Sequence, residues 1–298
     1  MLNLLIVSLI WAFSFGLIKS HLSGLDPNFL ASARLVIALP IFLLVFRPRG
    51  LNTGLILGFL SIGAIQYGFM YCFYLLAFRF LPAYLVALFT IFTPIYVIII
   101  DDLFERRLHF FSLAMAALAV IGAGIIYYRG SAPLDALAGF VLMQLSNLCF
   151  AFGQIAYRRQ RKSCPEIRDL RIYALLFIGA AAVTAAVTTV SSGWRSVETL
   201  DSTQWMVLIY LGVLASGIGF FLWNKGALQV NTATLAVFNN LKIPLAVCVS
   251  LVFFRESANL SRLAAGGGLM IAALAFAENR DRRRKAAKSY PPGDAKNL

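Results

Sequence analysis

Ionisable side chains are rare inside the long apolar stretches of this 298-residue chain, and Lys242 is the most informative of them. It lies well inside an apolar stretch, beside Asn239, Asn240 and Pro244. A charge at the centre of a membrane helix costs about 2.5–3.5 kcal/mol on insertion scales, so such residues usually mark a functional site. A proline also frees a backbone carbonyl nearby. We therefore predict that Lys242 binds a substrate carboxylate and that Asn239 and Asn240 are further substrate-binding residues. A structural lysine that pairs with carbonyls or snorkels fits the same pattern.

Arg34 is the second ionisable residue inside an apolar stretch. It lies nearer to the end of its stretch, so its long side chain can snorkel to the membrane surface. A structural role and a role in gating both fit this position. Pro94 and Pro244 also lie inside apolar stretches, where a proline interrupts helical hydrogen bonding, and we predict that they form gating breaks.

Uncharged polar and aromatic residues are predicted to line a central cavity. Gln144, Asn147 and Gln154 are spaced to share one face of a helix. The full set of candidates is Trp11, Phe15, Gln66, Tyr67, Tyr71, Tyr74, Gln144, Asn147 and Gln154. Polar residues on a membrane helix can instead hold neighbouring helices together, so both interpretations stay open.

The sequence predicts no enzymatic activity, no cofactor and no metal site. An active site needs a nucleophile with a base, or a metal cluster. The histidines, His21 and His109, flank the apolar stretches, and the thirteen acidic residues lie in loops, at the ends of the stretches or in the tail. The four cysteines form no C-x-x-C motif. The lack of a buried carboxylate also argues against proton-coupled antiport, so we expect facilitated passage.

Ten apolar stretches must position these residues. The chain is 60% hydrophobic and 13% charged, whereas about a quarter of residues in soluble domains are charged. A bilayer core of about 30 Å needs about 20 apolar residues per helix. The predicted spans are Leu2–Lys19, Phe29–Phe46, Gly54–Phe78, Pro82–Ile100, Phe110–Tyr128, Leu137–Tyr157, Ile172–Val190, Trp205–Leu228, Ala233–Phe254 and Leu263–Ala277.

The ten spans divide into two related halves. Pro94 and Pro244 are 150 positions apart, and each is followed by a charged turn, Phe104-Glu105-Arg106 or Phe254-Arg255-Glu256. Five spans per half is an odd number, so the second half enters the membrane inverted, as in secondary transporters. We predict an all-α polytopic membrane protein with inverted five-helix repeats at 1–130 and 136–278 and a basic cytoplasmic tail at 279–298. Small-residue pairs such as Ala264 and Gly268 predict close helix packing.

The net charge of +13 reflects membrane topology. Lysine and arginine concentrate in the loops on the side of the N-terminus, which predicts that both termini are cytoplasmic. The basic tail suits anionic lipid. We expect a multi-pass protein of a bacterial inner membrane that contacts lipid and a small-molecule substrate but no nucleic acid. A monomer is sufficient for this, and the oligomeric state is left open.

Several of these residues together resemble the EamA-type members of the drug/metabolite transporter superfamily. The resemblance rests on Trp11-Ala12-Phe13-Ser14-Phe15, Lys19, Arg34, the two prolines with their charged turns, and Leu222-Trp223-Asn224-Lys225-Gly226-Ala227. It covers essentially the whole chain, although many relatives have Gly-Glu-Arg where this chain has Phe104-Glu105-Arg106.

The resemblance implies export or facilitated passage of small metabolites, often amino acids, through ten helices around a central cavity. We therefore expect an amino-acid or related metabolite transporter that works by alternating access. The alternatives are a carrier of organic phosphates or nucleotide sugars, an amine or drug carrier of the same fold and, least favoured, a membrane-embedded enzyme.

Overall fold

The computed structural model describes residues 2–106, 110–127, 134–230 and 232–289, and the regular structure in these ranges is entirely helical. At some positions within them, including Asn239, Asn240 and Lys242, only the backbone is described. The described helices are α1 (Leu2–His21), α2 (Pro27–Leu43), α3 (Thr53–Ala77), α4 (Ala83–Phe104), α5 (Phe110–Tyr127), α6 (Leu134–Lys162), α7 (Asp169–Val190), α8 (Ser202–Gln229), α9 (Thr232–Val252) and α10 (Leu260–Ser289).

Six of the described helices are long and apolar enough to cross a membrane: α1, α3, α4, α6, α7 and α8. Shorter apolar helices occur at Pro27–Leu43, Ile243–Val252 and Leu260–Ala273. The expected all-helical, multi-pass membrane protein is therefore confirmed. That all ten helices cross the membrane, in two inverted halves, stays a prediction.

The last helix extends beyond its predicted end at Ala277. It continues to Ser289, because the basic segment that follows the apolar stretch is rich in alanine, arginine and lysine, which favour helix. The tail predicted at 279–298 therefore begins as helix, and its residues 290–298 lie outside the described part of the chain.

Three helices depart from regular α geometry. π-helical stretches occupy Ala64–Phe69 in α3 and Leu211–Ile218 in α8. In α4, a 3-10 turn at Thr90–Phe92 precedes Pro94, which lies in the first turn of the α-helical part that follows. Pro244, by contrast, lies inside α9, and the helix continues through it, so the break expected there is not formed.

Two glycines set the distance between α3 and α7. A β-carbon at Gly63 would overlap the backbone of Leu176, and one at Gly179 would overlap the backbone of Leu60. Their backbones can touch because neither glycine has a side chain at the crossing. At Gly268, where close packing was also predicted, a β-carbon meets nothing within 4 Å among the described residues.

One of the predicted charged turns caps a helix of the other half of the chain. The carboxylate of Glu256 accepts hydrogen bonds from the backbone N–H groups of Ala83 at 2.8 Å and Tyr84 at 2.9 Å. These N–H groups begin α4 and have no partner within the helix, so an acidic side chain stabilises them. Glu256 thereby ties the start of α4 to the segment after α9.

We expect Gly63→Ala to destabilise the protein, because the added methyl group forces α3 and α7 apart. Overpacking of this kind costs about 1–3 kcal/mol. The measurement is the midpoint of thermal unfolding in detergent, monitored as the fraction of the protein that remains monodisperse. Gly268→Ala is the matched control and should keep or raise the midpoint, since alanine favours helix by about 1 kcal/mol. Equal unfolding midpoints for Gly63→Ala and Gly268→Ala would contradict the close backbone contact between α3 and α7.

Candidate functional site

A cavity of about 70 Å³ lies where α1, α2, α3, α4, α6 and α8 meet. Its walls are mainly apolar and aromatic, with a few hydroxyl and amide groups, as is usual for small-molecule sites. Among the lining residues that the structure describes, one is charged and none is acidic. The lining consists of Trp11, Ser14, Phe15, Arg34, Met70, Tyr71, Tyr74, Thr90, Thr93, Met143, Ser146, Asn147, Phe150 and Phe220.

The charged residue is Arg34, and it is almost fully buried, at 2% exposure. Its Nη2 donates to the hydroxyl of Tyr71 at 2.7 Å, and its Nε donates to Oγ of Ser216 at 3.2 Å. The guanidinium carbon also lies 4.4 Å from the centroid of the Tyr71 ring. The third nitrogen, Nη1, has no hydrogen-bond partner. Snorkelling to the surface, one interpretation of this position, is therefore wrong.

The two oxygens around Arg34 are neutral and already committed. Oγ of Ser216 donates to the carbonyl of Leu211 at 2.7 Å and lies 2.9 Å from the Tyr71 hydroxyl. Since a serine has one hydroxyl proton, Tyr71 donates to Ser216 and accepts from Arg34. These contacts orient the guanidinium but leave its charge uncompensated. The arrangement can therefore bind an anion.

The carboxylates of the described ion pairs serve other cations. Asp26 pairs with Arg79 at 3.5 Å, and Asp101 pairs with Arg159 at 3.5 Å. Asp102 is buried near the end of α4 and does not line the cavity. A buried charge without a counter-ion is costly in a membrane protein, so a counter-ion supplied by a ligand would stabilise Arg34.

The π-helical stretch of α8 contacts both Arg34 on α2 and Trp11 on α1. Ser216 lies within it, and its hydroxyl donates to the carbonyl of Leu211, five residues earlier. Nε1 of Trp11 on α1 donates to the carbonyl of Ala215 at 2.8 Å. π-helical turns occur frequently at functional sites, where they free backbone groups for other partners.

The opposite wall is built around the interruption of α4. Nδ2 of Asn147 on α6 donates to the carbonyl of Phe89 at 2.8 Å, and its Oδ1 accepts from the hydroxyl of Thr93 at 3.2 Å. The Thr90 hydroxyl donates to the carbonyl of Ala87 at 2.7 Å. Asn147 does line the cavity, but both of its polar atoms are already engaged with α4.

Four aromatic rings, which we term the aromatic floor, form a cluster at the cavity: Trp11, Phe150, Phe220 and Trp223. Trp11 lies 5.4 Å from Phe220, 6.1 Å from Phe150 and 5.0 Å from Trp223, between ring centroids. The first three rings line the cavity, whereas Trp223 is completely buried behind them.

A buried polar network lies next to the aromatic floor. Nε2 of Gln66 donates to Oδ1 of Asn224 at 3.1 Å, and Nδ2 of Asn224 donates to the hydroxyl of Tyr67 at 2.8 Å. The hydroxyls of Tyr67 and Tyr173 are 2.6 Å apart. Gln66 and Tyr67 were predicted to line the cavity, but they join α3 to α7 and α8 outside it.

The two glutamines of α6 also lie outside the cavity lining. Oε1 of Gln144 accepts from the hydroxyl of Tyr96 at 3.1 Å. Gln154 is 1% exposed, and neither its Nε2 nor its Oε1 has a partner. The side chains of Asn239, Asn240 and Lys242 lie outside the described part of the structure, so their proposed role stays a prediction.

The structure thus brings together six of the predicted residues around one cavity: Trp11, Phe15, Arg34, Tyr71, Tyr74 and Asn147. The sequence analysis missed Ser216 and Thr93. Both lie in apolar runs, and neither carries a charge or a spacing that sets it apart from an ordinary membrane-helix hydroxyl.

Comparison with known proteins connects this cavity to a family. The EamA-like transporter family matches the chain twice, at residues 1–128 and 137–277. A probable biotin transporter of Pseudomonas aeruginosa is 39% identical over 273 residues, covering 91% of this chain and 95% of that protein. A probable amino-acid metabolite efflux pump of Escherichia coli is 28% identical, covering 74% and 75%.

A solved crystal structure covers 95% of this chain and 98% of its own, with a TM-score of 0.62 at 17% identity. At that identity the similarity shows a shared fold and nothing more. The family matches, by contrast, extend over most of the sequence. The chain therefore belongs to the EamA-like transporter family, and it is a membrane transporter, not an enzyme.

Proposed function

We propose that this transporter carries a small monocarboxylate of the biotin class and that Arg34 binds the carboxylate. The observation that supports this is the buried guanidinium of Arg34, whose Nη1 lacks a partner while its other two nitrogens contact neutral hydroxyls. A planar guanidinium suits a carboxylate, and charge-assisted hydrogen bonds of this kind are strong. The similarity to a probable biotin transporter supports the same substrate.

The charge of the cavity favours a monoanion over a zwitterionic amino acid. An amino acid would bring an ammonium group as well, and the described lining of the cavity holds no acidic residue to receive it. Aromatic faces such as that of Trp11 attract cations, but with only about 0.5–2 kcal/mol. Amino-acid efflux, which we expected from the sequence, stays the second candidate because of the more distant efflux-pump relative.

The volume of the cavity favours a mechanism in which the helices move. Sites that bind drug-sized ligands usually enclose about 300–1,000 Å³, whereas this cavity has about 70 Å³. The structure therefore represents a contracted state that must widen to admit a substrate. Alternating access, in which two halves rock about a central site, supplies such a movement.

Local geometry supports the proposal that 1–130 and 136–278 are inverted repeats. The two π-helical stretches, Ala64–Phe69 and Leu211–Ile218, occupy the third helix of each half. Arg106 and Arg255, which follow the fourth helix of each half, both have left-handed backbones, with φ of 54° and 51°. Helix packing is also reciprocal: α1 packs on α9 as α6 packs on α4, and α3 packs on α7 as α8 packs on α2.

We expect Arg34→Met to weaken biotin binding about ten- to hundred-fold, since the lost charge-assisted hydrogen bond contributes about 1.5–3 kcal/mol. The measurement is the dissociation constant of labelled biotin for purified protein in detergent. The uncharged amide of biotin has no carboxylate that could pair with Arg34, so the substitution should change its binding little.

Lys242→Met is the comparison variant for this experiment. If Lys242 binds the carboxylate instead, this variant loses biotin while Arg34→Met keeps it, and our assignment is wrong. Thermal stability should be unchanged or higher in Arg34→Met, because the substitution removes a buried, uncompensated charge. A fall in stability together with equal losses for biotin and its amide would indicate a structural arginine.

We expect biotin exchange to depend little on a proton gradient. The lining residues that the structure describes include no carboxylate and no histidine, and a carboxylic acid with an ordinary pKa of about 4.3 stays ionised near neutral pH. The measurement is the initial rate of biotin counterflow into proteoliposomes, with and without a gradient of one pH unit. Rates within twofold are expected, whereas strict dependence on the gradient would reveal a proton carrier.

A further inference from the structure

We propose a second substrate station on the transport path, formed by the amide of Gln154 beside the amides of Gln66 and Asn224, next to the aromatic floor. It binds a neutral group that both donates and accepts hydrogen bonds, such as an amide or a cyclic urea. The inference rests on the proposed function, since it assigns a site to the end of the substrate that is remote from the carboxylate.

The first observation is that Gln154 is buried with its whole amide unpaired. It is 1% exposed, and both Nε2 and Oε1 lack a hydrogen-bond partner. Leaving a buried polar group unsatisfied costs about 1–3 kcal/mol, so native proteins rarely do it. Asn147, two turns earlier on the same helix, has both of its polar atoms engaged. Gln144, also on α6, leaves only its Nε2 unpaired, because its Oε1 accepts from Tyr96, whereas Gln154 leaves both of its amide atoms unpaired.

The second observation is the position of Gln154 next to the aromatic floor. It follows Phe150 by four residues, so the two side chains leave α6 on the same face, about 6 Å apart along the helix. The preceding residue, Gly153, is where the stem of Gln66 packs against α6, and a β-carbon there would overlap Gln66. Gln154 is therefore in the same layer as Gln66.

The third observation is that the neighbouring amides are paired only with each other and with Tyr67. Gln66 donates to Asn224 at 3.1 Å, and Asn224 donates back to Gln66 at 3.5 Å and to Tyr67 at 2.8 Å. Such reciprocal amide bonds can be exchanged one for one with a ligand that carries both N–H and C=O groups. The side chains of Gln66, Asn224 and Gln154 thus provide three amides, and the amide of Gln154 has no hydrogen-bond partner.

The chemistry of this layer differs from that around Arg34. An amide side chain has two N–H donors and one acceptor oxygen, so a carboxylate, which only accepts, would leave Oε1 of Gln154 unpaired. A cyclic urea or an amide satisfies both atoms. A biotin-like substrate would therefore use the two stations in turn: its carboxylate binds Arg34 in the resting complex, and its neutral end binds Gln154 during passage past the aromatic floor.

The decisive variant is Gln154→Met, which keeps the length of the side chain and removes both unpaired atoms. We expect thermal stability to stay the same or rise, as it does when unsatisfied polar atoms are replaced by apolar ones. The dissociation constant of biotin in detergent should stay within twofold, because Arg34 is intact. The rate of biotin exchange in proteoliposomes should fall at least tenfold.

Gln144→Met is the matched control, since it makes the same change on the same helix at a glutamine that contacts Tyr96 instead. Its exchange rate should stay within twofold of the unmodified protein. Gln154→Leu provides a second apolar variant and should reproduce the slow exchange of Gln154→Met.

Exchange at the normal rate in a folded Gln154→Met variant would overturn the second station. So would a large loss of biotin affinity in that variant, because it would place Gln154 in the first site. Failure of the proposed function is recognised separately: the unmodified protein would not bind or exchange biotin, or Arg34→Met would bind it fully. Neither of these results involves Gln154.

Discussion

The centre of this transporter is organised by the cost of burying one positive charge without a counter-ion. Arg34 is held by Tyr71 and Ser216, which orient it but cannot neutralise it. Arg161 provides the contrast within the same chain: its Nε lies 2.6 Å from a carboxylate oxygen of Asp169, and it also donates to the carbonyl of Ile167. Arg161 thus has a carboxylate partner, whereas the described contacts of Arg34 are to neutral hydroxyls. In a low-dielectric interior, that difference decides which arginine can bind an anion.

The same medium also constrains the backbone around the cavity. An irregular helix inside a membrane protein must find partners for the backbone groups that it frees. Asn147 supplies one for the carbonyl of Phe89, beside the 3-10 turn of α4, and Trp11 supplies one for the carbonyl of Ala215 in α8. Both side chains line the cavity as well. Residues that seem from the sequence to be substrate contacts are therefore partly required to make the irregular helices possible.

The sequence predicted the helices well because the length of an apolar stretch is set by the bilayer and can be counted directly. It predicted the site less well, because periodicity shows which residues share a helix face but not how far along the helix the cavity extends. Tyr67 and Tyr71 share a face of α3, yet Tyr71 lines the cavity and Tyr67 joins the buried network outside it. For Arg34, the distance from the end of the helix could be counted in the sequence, but the packing that prevents snorkelling could not be predicted from it. Gly63 was missed for the same reason, since only the helix crossing shows which glycine meets a backbone.

The helix contacts around the buried network differ in strength. The tighter contacts limit which helices can move apart in the proposed rocking of the two halves. α3 and α7 touch through backbone at Gly63, and the Tyr67–Tyr173 hydrogen bond spans the same pair of helices. Tightly packed backbones do not slide without strain, so this pair should move as one body. The link from α3 to α8, by contrast, consists of side-chain contacts. They are the Gln66–Asn224 amide pair, the Asn224–Tyr67 and Tyr71–Ser216 hydrogen bonds, and ring contacts such as Tyr67 on Phe220. Ring contacts can repack, and amide bonds can be exchanged for those of a ligand. Separation of α8 from the α3–α7 pair would therefore open the floor and expose the amides next to Gln154 in one movement.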